Sequence, residues 1–133
     1  MTYCSICGKE IEERFANNPS PLKRGLVCDK CNSEIVLPLR FYLAGTNKNT
    51  ALLIEPNGVI SYYLEKEKTI PLETMQEMVE GYIEIYPKQD NNFIYIVNEE
   101  GLIHNKKPNM LAYEIFGISV VGNLLVIPKN LIE

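Results

Sequence analysis

The residues best suited to chemistry are four cysteines. Cys4-Ser5-Ile6-Cys7 and Cys28-Asp29-Lys30-Cys31 are two CxxC pairs, with twenty residues between Cys7 and Cys28. Two intervening residues let both sulfurs of a pair turn toward one metal at ~2.3 Å. The spacing is that of a zinc ribbon or treble-clef knuckle. Gly8, directly after the first pair, permits the tight turn that aims backbone N–H groups at the sulfurs. Four ligands close a tetrahedron and leave no position for an activated water, so the expected zinc is structural. Iron also accepts four thiolates. A dithiol redox motif would need only one CxxC, in a βαβ setting.

The second half of the chain offers side chains suited to binding. Tyr82, Glu84 and Tyr86 alternate with Ile83 and Ile85, so a strand would place the Tyr-Glu-Tyr set on one face. Such a face can stack a ring and accept hydrogen bonds, or serve as amphipathic sheet surface. Asn98-Glu99-Glu100-Gly101 reads as a polar strand end and turn. Asn98 and Glu99 are candidates to line a pocket together with Asn109, which also suits a helix N-cap after Pro108. Lys106-Lys107 is a small basic spot that could meet a phosphate. His104 is the lone histidine, with no Ser or Cys nucleophile evidently paired with it. No phosphate-binding loop or metalloprotease signature is present, and no catalytic residue is expected.

Local patterning supplies the elements that must position these groups. Thr50–Glu55 and Val59–Leu64 flank Pro56-Asn57-Gly58, a hairpin signal in which both central turn residues are expected at positive φ. Leu72, Met75, Met78 and Val79 recur at helical spacing, with Pro71 at the start and Gly81 at the end. Tyr82–Tyr86 and Phe93–Asn98 read as strands, joined by a polar loop over 88–92. A short helix over 109–116 is stopped by Gly117, and 118–127 reads as one or two strands around Gly122-Asn123. The fold class is α+β: an N-terminal four-cysteine ribbon or treble-clef-like knuckle over 1–43, a linker over 44–49, and a small, mostly antiparallel sheet with one main helix over 50–133.

The chain has 133 residues and a formal charge of −4. Residues 1–45 hold six Lys/Arg and five Asp/Glu, so the acidic excess lies in the remainder. Four thiolates on zinc add about −2. That balance lacks the basic footprint of a general nucleic-acid binder, although Lys23, Arg24 and Lys30 could touch a backbone. No apolar run reaches the ~18 residues of a membrane span. Met1-Thr2-Tyr3-Cys4 lacks the basic and apolar regions of a signal peptide. The expected location is the cytoplasm, where thiols stay reduced and paired cysteines favour metal.

Residues 3–40 resemble a small zinc ribbon common in bacteriophage and mobile-element proteins. The likeness rests on Cys4-Ser5-Ile6-Cys7-Gly8-Lys9, Asn17-Asn18-Pro19-Ser20-Pro21-Leu22, Cys28-Asp29-Lys30-Cys31-Asn32 and Ile35-Val36-Leu37-Pro38-Leu39-Arg40. Residues 50–133 resemble domain of unknown function 3846, also frequent in such elements. There the likeness is carried by Glu73–Glu84, Val97-Asn98-Glu99-Glu100-Gly101, Pro108-Asn109-Met110-Leu111-Ala112 and Gly122-Asn123 before Leu124–Ile127. This copy has Glu80 where such helices often end Gly-Gly. The resemblances imply an accessory setting and no activity. With a tyrosine-rich, acidic second domain, the expected function is non-catalytic binding that sequesters a host protein or a nucleotide signal, with counter-defence as its purpose in such a setting. A nucleic-acid-associated adaptor is the alternative, and an enzyme comes third. A homodimer would cover a sheet edge.

Overall fold

The computed structural model describes residues 2–45, 48–88, 90, 92–100 and 106–132. The chain divides into two compact units, Met1–Thr46 and Asn47–Glu133.

The first unit opens with a two-stranded hairpin, β1 (Thr2–Tyr3) against β2 (Glu10–Ile11). Its turn carries Cys4 and Cys7. Gly8 closes it at φ 79°, donating its N–H to Cys4 O at 2.9 Å. The Ser5 N–H donates to Leu26 O at 3.0 Å and the Ser5 hydroxyl to Gly25 O at 2.7 Å, which straps this turn to the segment leading into Cys28. A bridge between Asn17 and Val27 holds the same segment from its other side.

Cys28 then caps a helical run: α1 (Asp29–Cys31), a π-helical turn (Asn32–Val36) and α2 (Leu37–Leu43). Leu37 N–H reaches back to Asn32 O, five residues away. Pro38 has no N–H and its ring crowds the carbonyl four residues back, so widening the preceding turn lets the helix continue through it. The second cysteine pair therefore opens a helix rather than a second hairpin. That is the treble-clef alternative of the two read from spacing.

The second unit is a five-stranded antiparallel sheet in the order β4-β3-β7-β6-β5. Its strands are β3 (Thr50–Ile54), β4 (Ile60–Leu64), β5 (Ile83–Tyr86), β6 (Phe93–Asn98) and β7 (Leu124–Pro128). One face packs under α3 (Leu72–Val79), where Met75 and Val79 join Ala51, Ile96, Leu125 and Ile127 in a buried cluster. The other face meets α4 (Met110–Phe116), whose Phe116 ring lies edge-on to Tyr95, centroids 5.2 Å apart. A central strand covered on both sides has no face for polar residues, which explains the unbroken apolar run Leu124-Leu125-Val126-Ile127. Burying each such side chain contributes about 1.5–3 kcal/mol.

Three local expectations change. In the β3–β4 turn, only Gly58 has positive φ, at 93°. Its N–H donates to Glu55 O, and Glu55 N–H donates to Val59 O. Pro56 fixes a negative φ at the first central position, so the link is a three-residue loop with glycine at the left-handed position, not a two-residue mirror-image turn. Helix α3 ends one residue early: Glu80, not Gly81, is the left-handed cap, at φ 64°. Residues 118–121 form no regular strand. Both neighbours of β7 are already taken, and this run instead crosses Pro108, with Asn109 N–H on Val120 O and Gly122 N–H on Lys107 O.

Candidate functional site

The four sulfurs of Cys4, Cys7, Cys28 and Cys31 all lie within 4.8 Å of one another. Cys7 Sγ and Cys28 Sγ are 3.8 Å apart, and all four thiols are free. A disulfide needs ~2.05 Å. Four sulfurs at ~2.3 Å from a common centre stand roughly 3.8 Å apart, which fits one tetrahedral metal. Backbone N–H groups of Ile6 and Cys7 point at Cys4 Sγ, and that of Cys31 at Cys28 Sγ. Burial opposes charge on Cys4, yet N–H donors from Cys7, Cys28 and Ile6 outweigh it and bring this thiol down to about 6. Burial and the neighbouring thiols push Cys31 up to about 12. Without metal the cluster therefore keeps some of its protons, and a bound cation would displace them.

The Asn-Pro-x-Pro-Leu stretch proves to be scaffolding for this centre. Asn17 Nδ2 donates to Asp29 Oδ1 at 2.9 Å, joining the loop to the start of the cysteine-bearing helix. The Arg40 guanidinium donates to Asn18 O at 2.6 Å and to Ser20 O. Leu22 and Val27 are buried beneath.

In the second unit the structure gathers some of the candidate binding residues and separates others. Glu84, Asn98 and Glu99 line a groove of about 640 Å³ on the α4 side of β5 and β6. Tyr86 and Val97 belong to the same lining, as do Pro108 and Ser119–Val121 from the opposite wall. Tyr82 is 66% exposed and does not line the groove. Asn109 is buried away from it as the cap of α4: its Oδ1 accepts from Ala112 N–H, and its Nδ2 donates to Ile54 O and Gly122 O. Lys106 pairs with Glu80 at 2.9 Å. His104 and Gly101 lie outside the described residues.

Asn98 touches the groove but spends its amide elsewhere. Its Nδ2 donates to Val79 O and Glu80 O, and its Oδ1 accepts from Glu100 N–H at 2.7 Å. It thereby fixes the turn that presents Glu99. The sequence reading missed the far wall, Pro108 and Ser119–Val121, because strand patterning gave no sign that it would face β5.

A second cleft, about 650 Å³, sits at the other end of β5 and β6. Lys88 and Lys129 line it beside Tyr86, Tyr95 and Asp90. Asp90 is engaged there: Oδ1 accepts from the N–H groups of Asn92 and Phe93, and Oδ2 from the Tyr95 hydroxyl at 2.9 Å. Burial works against its charge, but these donors and Lys88 hold its carboxyl below the usual value.

Residues 48–130 match a family described as a domain of unknown function, DUF3846. The chain belongs to that family. The match spans the five-stranded sheet and both of its helices and leaves the cysteine knuckle outside. No curated protein and no solved structure matches the chain. Within the DUF3846 domain, Glu80 supplies the left-handed helix end that glycine would otherwise provide, and Gly81 gives Asn98 room to reach it. Among the described residues, no helix is long and apolar enough to cross a membrane.

Proposed function

We propose that the chain is a non-catalytic binding protein of a phage or mobile-element setting that acts in the cytoplasm by engaging a host protein. The cysteine knuckle holds a structural zinc, and the groove of the DUF3846 domain is the engaging surface. The accessory setting is supported by the likeness of residues 4–9, 17–22, 28–32 and 35–40 to knuckles found in such elements.

One observation carries the choice of a protein over a nucleotide. The groove is lined by Glu84, Glu99 and Glu100, and by no Lys or Arg among its described residues. A phosphate would meet repulsion there. Lys106 is paired with Glu80 and does not line the groove. The nucleotide version has its own place, the cleft with Lys88 and Lys129, where Asp90 offsets part of their charge.

The test is retention from host extract and from a panel of nucleotide second messengers, read by mass spectrometry. The expected result is a host protein retained by the native chain and lost with Glu84→Lys. A retained nucleotide, lost with Lys88→Glu, would replace this reading with the other.

A further inference from the structure

We infer that the groove beside β5 receives an extended peptide segment bearing a lysine or arginine side chain. The inference rests on the binding reading above and specifies the chemistry of the partner.

The groove has two kinds of lining. Tyr86 and Val97 on the sheet, with Pro108, Val120 and Val121 across from them, form an apolar trough. Glu84 and Glu99, both exposed, stand on its β5–β6 side. A long basic side chain has the matching form, because it lays an aliphatic stem on apolar surface and carries its charge at the tip. Tyr86 adds a ring face on which a cation can rest.

Among the described residues, no ion pair engages Glu84 or Glu99. Lys106, which follows in the chain, is tied to Glu80 at 2.9 Å. Asn98, the buried amide in the lining, has its Nδ2 and Oδ1 committed to Val79, Glu80 and Glu100. Specificity is thus left to the carboxylates. Among the described residues β5 is paired only with β6, so the groove on its face adjoins an unpaired strand edge of the kind that extended peptides join.

Fluorescence anisotropy would test this with a labelled heptapeptide of alternating valines carrying one lysine and one arginine, against the same peptide with glutamates in their place. The full chain should bind the basic peptide and not the acidic one. Affinity should fall as salt is raised from low to physiological strength. Glu84→Gln and Glu99→Gln should each weaken binding at least fivefold, and Glu73→Gln, on the exposed side of α3, should not. Equal binding of both peptides, or an affinity unmoved by Glu84→Gln and Glu99→Gln, would overturn the proposal. If a host protein is retained in a Glu84-dependent way while the basic peptide fails to bind, the peptide inference falls and the binding reading stands. If neither binds, both fall.

Discussion

Gly81 has no Cβ because Asn98 occupies its place: a Cβ there would stand 2.7 Å from Asn98 Nδ2. That amide bridges Val79 O and Glu80 O at the end of α3, while its oxygen holds Glu100 N–H. One side chain on β6 thus closes the helix and shapes the turn that carries Glu99.

Gly81→Ala should therefore displace Asn98 and leave buried carbonyls unmet, at a cost of about 2 kcal/mol. Asn98→Ala alone should cost about as much. In the double variant the clash has no partner, so the two losses should fall short of additive by about 1 kcal/mol or more. Urea unfolding of the four proteins measures this, and strict additivity would show that the two residues do not meet.

Asn109 should behave as a structural cap. Asn109→Ala removes the bond to Ala112 N–H and orphans Ile54 O and Gly122 O, so it should cost about 2–4 kcal/mol. Asn109→Asp keeps the capping oxygen but sets a carboxylate against two carbonyls. It should be the worse variant at neutral pH and recover stability as pH falls and the group takes up a proton. Thermal melts at pH 7 and pH 4 would check the order, and a harmless Asn109→Ala would return this residue to the list of ligand contacts.

Asp90 gives a second pH signature. Its carboxyl is held below its ordinary value of 3.8, so the charged form is the one the fold stabilises. Its contribution is present above that value and lost as pH falls through the lower, folded one. Asp90→Asn loses the acceptor of the Tyr95 hydroxyl, a change of about 1–2 kcal/mol. The gap between native and variant proteins should be constant from pH 7 to pH 5 and narrow at pH 3. A gap that stays constant to pH 3 would contradict the role of the charge.

How far the sequence reveals this molecule depends on whether a feature is local. The CxxC pairs, the strand Phe93–Asn98 and the α4 stop at Gly117 are written in neighbouring residues, and the structure has them. Glu80 at positive φ is not legible, since glutamate gives no such signal and the conformation is fixed from β6 through Asn98. The π-helical turn has a local cause in Pro38, but a proline reads equally well as a helix end. Of the candidate groove, Glu84, Asn98 and Glu99 could be picked out as polar residues on or beside strands. Ser119–Val121 could not, because that run reads as a strand and its position follows from β7 already having two partners.

The sulfurs of Cys4, Cys7, Cys28 and Cys31 are placed to take one metal with no open position. Elemental analysis of the purified chain, alone and as Cys28→Ser, decides whether they do. One zinc per chain is expected, lost in the variant, with tetrahedral thiolate absorption when cobalt replaces it. A native chain without stoichiometric metal, or a Cys28→Ser chain that keeps it, would show that these four cysteines are not its ligands.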